Sequence, residues 1–273
     1  MKHLRVGFIG AGNMAASMVG GLLDKGVPAP NIAVSDPSPD ALQRMLQLGA
    51  LRTSTENTEV LENADVVVLA VKPQVMQDVT MPLRGALAAS GSLVVSIAAG
   101  ITLQQLADWL GETVATIRCM PNTPALLRSG ASALYAGERV SPAQREMAEA
   151  VLAAVGMVCW VQEETQMDAV TALSGSGPAY LFRFIEAMVA AGVQQGLPAD
   201  VSQALAVQTA LGAARMAAES ELPLDELRRR VTSPGGTTES ALQRFEALGL
   251  SSIVEDAIGA AAARSRELAK GTG

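Results

Sequence analysis

Along the first part of the chain, short runs of apolar and β-branched residues alternate with stretches whose apolar positions recur at helical spacing. The runs Leu4 to Ile9, Ile32 to Ser35, Val66 to Val71, Leu93 to Ile97, Val114 to Met120, Ala131 to Ala136 and Val158 to Val161 predict strands. The amphipathic stretches Met14 to Lys25, Asp40 to Leu48, Val75 to Ala88 and Thr102 to Leu110 predict helices between them. Strands that are apolar throughout need cover on both faces, so this alternation implies an α/β fold with a doubly wound, parallel sheet. The later strands are candidates for antiparallel pairing at an edge.

After Val161 the β-branched runs stop and Ala-rich helical periods take over. Ser176 followed by Gly177-Pro178 predicts a capped helix start, and that helix runs to about Gln195, where Gly196 and Pro198 end it. Further helices are expected from Asp200 to Ser220, Leu224 to Arg230, Glu239 to Leu248 and Ser251 to Lys270. The change of pattern places a domain boundary at 163/164, giving a nucleotide-binding α/β domain over 1–163 and an all-α domain over 164–273. The helical part carries broad Ala, Val, Leu and Met faces that a single thin layer of helices would leave in water, which predicts dimerisation through it.

Composition narrows the function. At 273 residues the chain has ample length for a core without staples. A net charge of −7 argues against nucleic acid, and the one basic run, Arg228-Arg229-Arg230, reads as a solvated helix end. Cys119 and Cys159 lack metal-ligand spacing, and His3 stands alone, so no metal site is expected. With no apolar stretch of membrane-spanning length and no signal-peptide pattern, the expected location is the cytoplasm, away from any membrane.

The segment Ile9-Gly10-Ala11-Gly12-Asn13-Met14-Ala15 fits G-x-G-x-x-A between an apolar strand and a helix, the context that a dinucleotide fingerprint requires. Gly10 serves the tight turn, Gly12 lets a pyrophosphate approach the backbone, and Ala15 permits close helix packing. The next strand ends in Ser35-Asp36-Pro37-Ser38, where the ribose of the adenosine would lie. Asp36 favours NADH, whereas Ser35, Ser38 and the nearby Arg44 are compatible with NADPH. Ala70-Val71-Lys72-Pro73, Ala98-Ala99-Gly100 and Met120-Pro121-Asn122-Thr123-Pro124 each follow a strand, where an open α/β sheet binds its ligands.

Far along the chain, Val231-Thr232-Ser233-Pro234-Gly235-Gly236-Thr237-Thr238 precedes a helical stretch with apolar Ala241, Leu242 and Phe245. A Pro, two Gly and several hydroxyls at a helix start leave N–H groups free for an anion such as a carboxylate. The same residues would also serve as an ordinary capped loop.

Together with Arg118-Cys119-Met120-Pro121-Asn122-Thr123-Pro124 and Ser174-Gly175-Ser176-Gly177-Pro178-Ala179-Tyr180, these motifs resemble pyrroline-5-carboxylate reductase in order and over almost the whole chain. The resemblance implies reduction of L-1-pyrroline-5-carboxylate to L-proline with NADPH or NADH, NADPH being the usual donor. It implies a Rossmann domain followed by a helical dimerisation domain, in a homodimer or a ring of dimers. By matching motif, the cofactor meets Ile9, Gly10, Ala11, Gly12, Asn13, Met14, Ser35, Asn57, Ala70, Val71, Lys72, Pro73, Ala98, Ala99 and Gly100, and Asp36 joins them by its place after the second strand. The substrate carboxylate meets Ser233, Gly236, Thr237 and Thr238, with Glu221 nearby. Arg230 departs from the family pattern, which in some members has Asn there.

An independent feature supports an imine substrate. Lysines occur only at Lys2, Lys25, Lys72 and Lys270, and none lies in the helix that Ser176-Gly177-Pro178 opens. Reduction of a carbonyl calls for a proton donor, commonly His or Lys, as charge develops on oxygen. A protonated cyclic imine already carries the charge that draws hydride and needs positioning more than acid catalysis. Thr238 is the candidate for a hydrogen bond to the ring nitrogen. Two rivals stand beside this reading: another two-domain imine or β-hydroxy-acid reductase, which the missing helical lysine opposes, and a cofactor-binding regulator, which has no use for a second anion site.

Overall fold

The computed structural model describes residues 2–271. In chain order its strands and helices are β1 (Val6–Ile9), α1 (Asn13–Asp24), β2 (Ile32–Ser35), α2 (Pro39–Leu46), β3 (Arg52–Ser54), β4 (Val66–Leu69), α3 (Met76–Thr80), α4 (Arg84–Ser90), β5 (Leu93–Ser96) and α5 (Leu103–Leu110). They continue as β6 (Thr116–Met120), β7 (Gly130–Ala136), α6 (Pro142–Leu152), β8 (Gly156–Trp160), α7 (Gln166–Val170), α8 (Gly177–Gln194), α9 (Ala199–Glu219), α10 (Leu224–Arg230), α11 (Thr237–Ala247) and α12 (Leu250–Ala269).

The strands form one eight-stranded sheet in the order β3-β2-β1-β4-β5-β6-β7-β8. Pairing is parallel from β3 to β6, antiparallel between β6 and β7, and parallel again between β7 and β8. Every residue of β1, β2, β4 and β5 is buried, as their unbroken apolar runs require. One face packs Phe8, Val34, Val66 and Val68 against Met18 and Leu22 of α1 and Met45 of α2. The other packs Ile9, Val67 and Leu69 against Leu87 of α4 and Leu106 and Leu110 of α5. The sequence of strands reverses between β1 and β4, which opens a crevice at their carboxyl ends.

Three elements differ from the sequence pattern for identifiable reasons. The short polar strand β3 has no apolar run to reveal it and is held by backbone pairing with β2. The single helix expected over Val75 to Ala88 splits into α3 and α4, because Pro82 in the tight turn Met81–Leu83 interrupts the helical bonds. Ser176 does not cap a new helix: α7 passes through a π turn, Thr171–Gly175, directly into α8.

By packing, the chain divides into one unit of Met1–Ser176 with Ala261–Gly273 and a second of Gly177–Ala260. The pattern change at 163/164 and this division differ by α7 and the π turn, whose Met167 and Ala172 are buried. Glu164 also anchors that stretch, accepting from the Arg118 guanidinium of β6 at 2.7 Å and from the Leu103 N–H of α5 at 2.8 Å. The end of α12 belongs to the first unit through Ser265, whose Oγ donates to Asp168 Oδ1 at 2.6 Å.

Within the second unit, α8 and α9 pack at Gly192, whose missing side chain leaves room for Ser202, and Ser202 Oγ donates to the Val189 carbonyl at 2.9 Å. Phe184 of α8 and Phe245 of α11 stack obliquely with centroids 6.4 Å apart. The helices of this unit leave Leu181, Phe182, Leu205, Val207 and, on α12, Ile253 exposed in the single chain. No helix among the described residues is long and apolar enough to cross a membrane.

Candidate active site

The fingerprint turn sits at the carboxyl end of β1. Gly10 adopts φ +102°, and a Cβ there would lie 2.7 Å from the Ala70 carbonyl oxygen, so this position accepts only glycine. Gly12 is different. Its φ of −76° suits any residue, and a Cβ would meet nothing within 4 Å. Gly12 caps α1 without a side-chain hydrogen bond, leaving the first N–H groups of a twelve-residue helix facing open space. Free N–H groups at a helix start suit an anion such as a phosphate. Ala11, Asn13 and Met14 complete this turn, and the buried Ile9 precedes it at the end of the strand.

At the end of β2, Asp36 Oδ2 accepts from the Ala11 N–H and Oδ1 from the Ser38 N–H, both at 2.9 Å. The carboxylate is therefore fixed against the fingerprint turn, and no cation pairs with it among the described residues. Ser35 is buried, and its hydroxyl donates to Asn57 Oδ1 at 2.8 Å. Ser35 thus orients Asn57 from within the strand. Ala70, Val71, Lys72 and Pro73 follow β4, with the Ala70 N–H donating to the Ile9 carbonyl at 2.8 Å and Lys72 exposed. Ala98, Ala99 and Gly100 follow β5; Gly100 is buried at φ +77°, with Leu268 3.5 Å from where a Cβ would stand. All these segments share the carboxyl edge of the sheet.

The second unit holds the other candidate site. Ser233-Pro234-Gly235-Gly236 form a turn closed by the Gly236 N–H donating to the Ser233 carbonyl at 3.0 Å, with Gly235 at φ +70°. Pro followed by a positive-φ glycine is the signature of a type II turn. Gly236 then caps α11, and Glu239 Oε2 reaches back to accept from the Gly235 N–H at 2.7 Å. The Ser233, Thr237 and Thr238 hydroxyls have no protein partner among the described residues, and the N–H groups opening α11 are free. The sequence reading missed Glu239, although Glu at the third helical position is a recognisable capping signal. Glu221 is exposed in the connection between α9 and α10. Arg230 is engaged by Glu226 Oε1 at 3.1 Å, and Arg229 pairs with the same carboxylate, so this basic run is a helix-end network.

Cys119 contributes packing, since burial pushes its thiol well above the usual range and keeps it protonated.

A family described as pyrroline-5-carboxylate reductase dimerisation matches residues 164–268, and one described as NADP oxidoreductase coenzyme F420-dependent matches residues 5–100. A pyrroline-5-carboxylate reductase of Pseudomonas aeruginosa is 52% identical over 273 residues, covering 100% of both chains. The chain belongs to the pyrroline-5-carboxylate reductase family. A pyrroline-5-carboxylate reductase of Coxiella burnetii superimposes with a TM-score of 0.94 at 43% identity, over 97% of this chain and 98% of that one. The Plasmodium falciparum pyrroline carboxylate reductase, solved with NADP bound, gives 0.85 at 28% identity over 98% and 99%.

For a pyrroline-5-carboxylate reductase, the fixed Asp36 carboxylate has a measurable consequence. A 2′-phosphate would meet its charge, whereas ribose hydroxyls would donate to it. Asp36→Ser is expected to raise the ratio of kcat/KM for NADPH over NADH by about tenfold, equivalent to about 1.4 kcal/mol. Steady-state kinetics with both cofactors check this, and an unchanged ratio removes Asp36 from cofactor choice.

Proposed function

We propose that the chain reduces L-1-pyrroline-5-carboxylate to L-proline with NADPH or NADH, the last step of proline synthesis, in the cytoplasm where those donors are regenerated. The observation that carries the reading is the start of α11, where three hydroxyls and the first helical N–H groups stand free beside a turn already closed by its own hydrogen bonds. Donors fixed in that way suit a carboxylate, which gains charge-assisted bonds and the favourable helix end.

When bound, the dihydronicotinamide supplies a hydride to the imine carbon. The chain's own work is to hold and align. Gly10 to Met14 cradle the pyrophosphate, Asp36 and Asn57 take the adenosine side, and Ala70 to Pro73 with Ala98 to Gly100 line the remaining carboxyl edge. Ser233, Gly236, Thr237 and Thr238 hold the substrate carboxylate, with Glu221 beside them, and Thr238 offers its hydroxyl to the ring nitrogen. Orientation of bound reactants lowers a barrier by about 7 to 11 kcal/mol in favourable cases, so such a site works without a strong acid. The deciding experiment follows NAD(P)H oxidation by the purified protein with pyrroline-5-carboxylate, with proline identified as product. No oxidation with either cofactor overturns the reading.

The match to a dimerisation family over 164–268 supports a homodimer built on the helical part, and we extend this to a ring of dimers as the larger assembly. Leu181 and Leu205 are 65% and 55% exposed in the single chain, so a partner has apolar surface to cover. The double variant Leu181→Glu/Leu205→Glu is expected to shift the mass in light scattering from a dimer or its multiple to a monomer. An unchanged mass would remove these side chains from the interface.

A further inference from the structure

We propose that Asn122 is a positioning residue for hydride transfer: its amide holds the Thr171–Gly175 π turn against the nicotinamide end of the sheet by supplying the hydrogen bond that Pro178 cannot. The proposal rests on the chain being an NAD(P)H-dependent pyrroline-5-carboxylate reductase.

In an α-helix the carbonyl of Ser174 would accept from the N–H of residue 178. Residue 178 is proline and has no N–H, so that acceptor is left over. Asn122 Nδ2 donates to it at 3.1 Å. Asn122 Oδ1 in turn accepts from the Ala131 N–H of β7 at 2.8 Å. This pairing fixes the amide orientation, because a flip would set oxygen against carbonyl and N–H against N–H. One side chain therefore ties together the loop after β6, the start of β7 and the π turn.

The turn is braced in other ways that keep its register. The Ser176 N–H donates to the Thr171 carbonyl at 2.9 Å, the five-residue step that defines a π turn. Thr171 Oγ1 and Ser174 Oγ donate back to the Met167 and Val170 carbonyls at 2.8 and 3.0 Å. Gly175 lies against Met120, the last residue of β6, and a Cβ there would run into the Met120 methyl group.

Strand order gives this arrangement its meaning. A dinucleotide lies across the reversal between β1 and β4, and Asp36 marks the β2 side as the adenosine half. The nicotinamide half then falls to the carboxyl ends of β4, β5 and β6, and Asn122 follows β6 directly. The π turn is a wall of that end, and π turns of this kind recur at functional sites. Displacing such a wall by about 1 Å is enough to lower a rate about 100-fold with no reacting group removed.

Two substitutions in the full-length enzyme test this. Asn122→Asp keeps the acceptor for Ala131 but loses the donor to Ser174. Pro178→Ala restores an N–H that competes for the Ser174 carbonyl and lets the turn relax towards α-helical register. Each is measured by kcat, by the KM for both substrates, by the primary isotope effect with NADPH deuterated at the transferred position, and by thermal melting. For Asn122→Asp the expected result is a fall in kcat of about tenfold or more, a larger isotope effect and a cofactor KM within about threefold of the parent. Pro178→Ala is expected to lower kcat in the same way while melting at or above the parent temperature, a combination that lost stability cannot produce. If Asn122→Asp does not fold, Pro178→Ala decides alone. A kcat and isotope effect within twofold of the parent in the deciding variant overturn the proposal, as does a loss that merely follows the folded fraction. A parent enzyme with no NAD(P)H oxidation would instead overturn the functional reading.

Discussion

Gly12→Val is expected to raise the Kd for NAD(P)H by about 100-fold or more, a loss of about 2.7 kcal/mol, while leaving the fold intact. The two glycines of the fingerprint turn are constrained for different reasons. Gly10 is held by the protein itself, through φ +102° and the Ala70 carbonyl 2.7 Å from where a Cβ would stand. Gly12 has an ordinary φ of −76° and open space beyond its α-carbon. Nothing within the chain demands glycine at position 12, so the demand comes from what binds there. An isopropyl group would occupy the space in which a pyrophosphate meets the first N–H groups of α1. Replacing the glycine that caps α1 by a β-branched residue costs about 1 kcal/mol in stability, which for a chain of this size moves the melting temperature by about 2 to 4 °C. Gly10→Ala should behave in the opposite way and lower the melting temperature through backbone strain. Cofactor titration by fluorescence together with melting curves separates the two. A Gly12→Val protein that binds NADPH like the parent would mean that the pyrophosphate lies elsewhere.

That contrast also shows why some features were legible in the sequence and others were not. The apolar runs of β1, β2, β4 and β5 announce themselves because a strand buried on both faces has no polar positions to spare. The edge strand β3, Arg52–Ser54, carries no such signal, since its order comes from backbone pairing with β2. The turn before α11 was legible because Pro, two glycines and hydroxyls in a row have few uses other than a turn at a helix start. Its closing contact, Glu239 to the Gly235 N–H, was not read, although the spacing was there to find. The hardest feature was the helix through Ser176. Serine, glycine and proline in succession read as a cap, and only the register of carbonyl and amide groups shows one helix running on through a π turn. Asn122 completes that register from more than fifty residues upstream, and its motif after β6 marks the sheet edge without revealing the bond to Ser174. Asp36 was read as a ribose contact from its place after β2, but its grip on the Ala11 N–H depends on two loops meeting at the sheet edge.

Removing the substrate carboxylate should cost as much as any single change to the protein. Two charge-assisted contacts at the start of α11, each worth about 1.5 to 3 kcal/mol, predict that plain 1-pyrroline reacts with a kcat/KM lower by about 100-fold to 10,000-fold. Comparison with Thr238→Ala then assigns the Thr238 hydroxyl. Thr238 lies in the first turn of α11 and has no protein partner for its hydroxyl among the described residues. If the hydroxyl serves the ring nitrogen, Thr238→Ala lowers kcat by the same factor, about tenfold, on both substrates, because the nitrogen is common to them. If it serves the carboxylate, the substitution affects pyrroline-5-carboxylate and leaves 1-pyrroline untouched, since the partner is already missing. The comparison is a double-mutant cycle in which one change is made in the substrate, so the coupling reports the contact directly. Additive losses support Thr238 as the group that orients the imine for hydride transfer. Losses confined to the carboxylate substrate place it in the anion cradle with Ser233 and Thr237, and near-normal turnover of Thr238→Ala on both substrates removes it from the site.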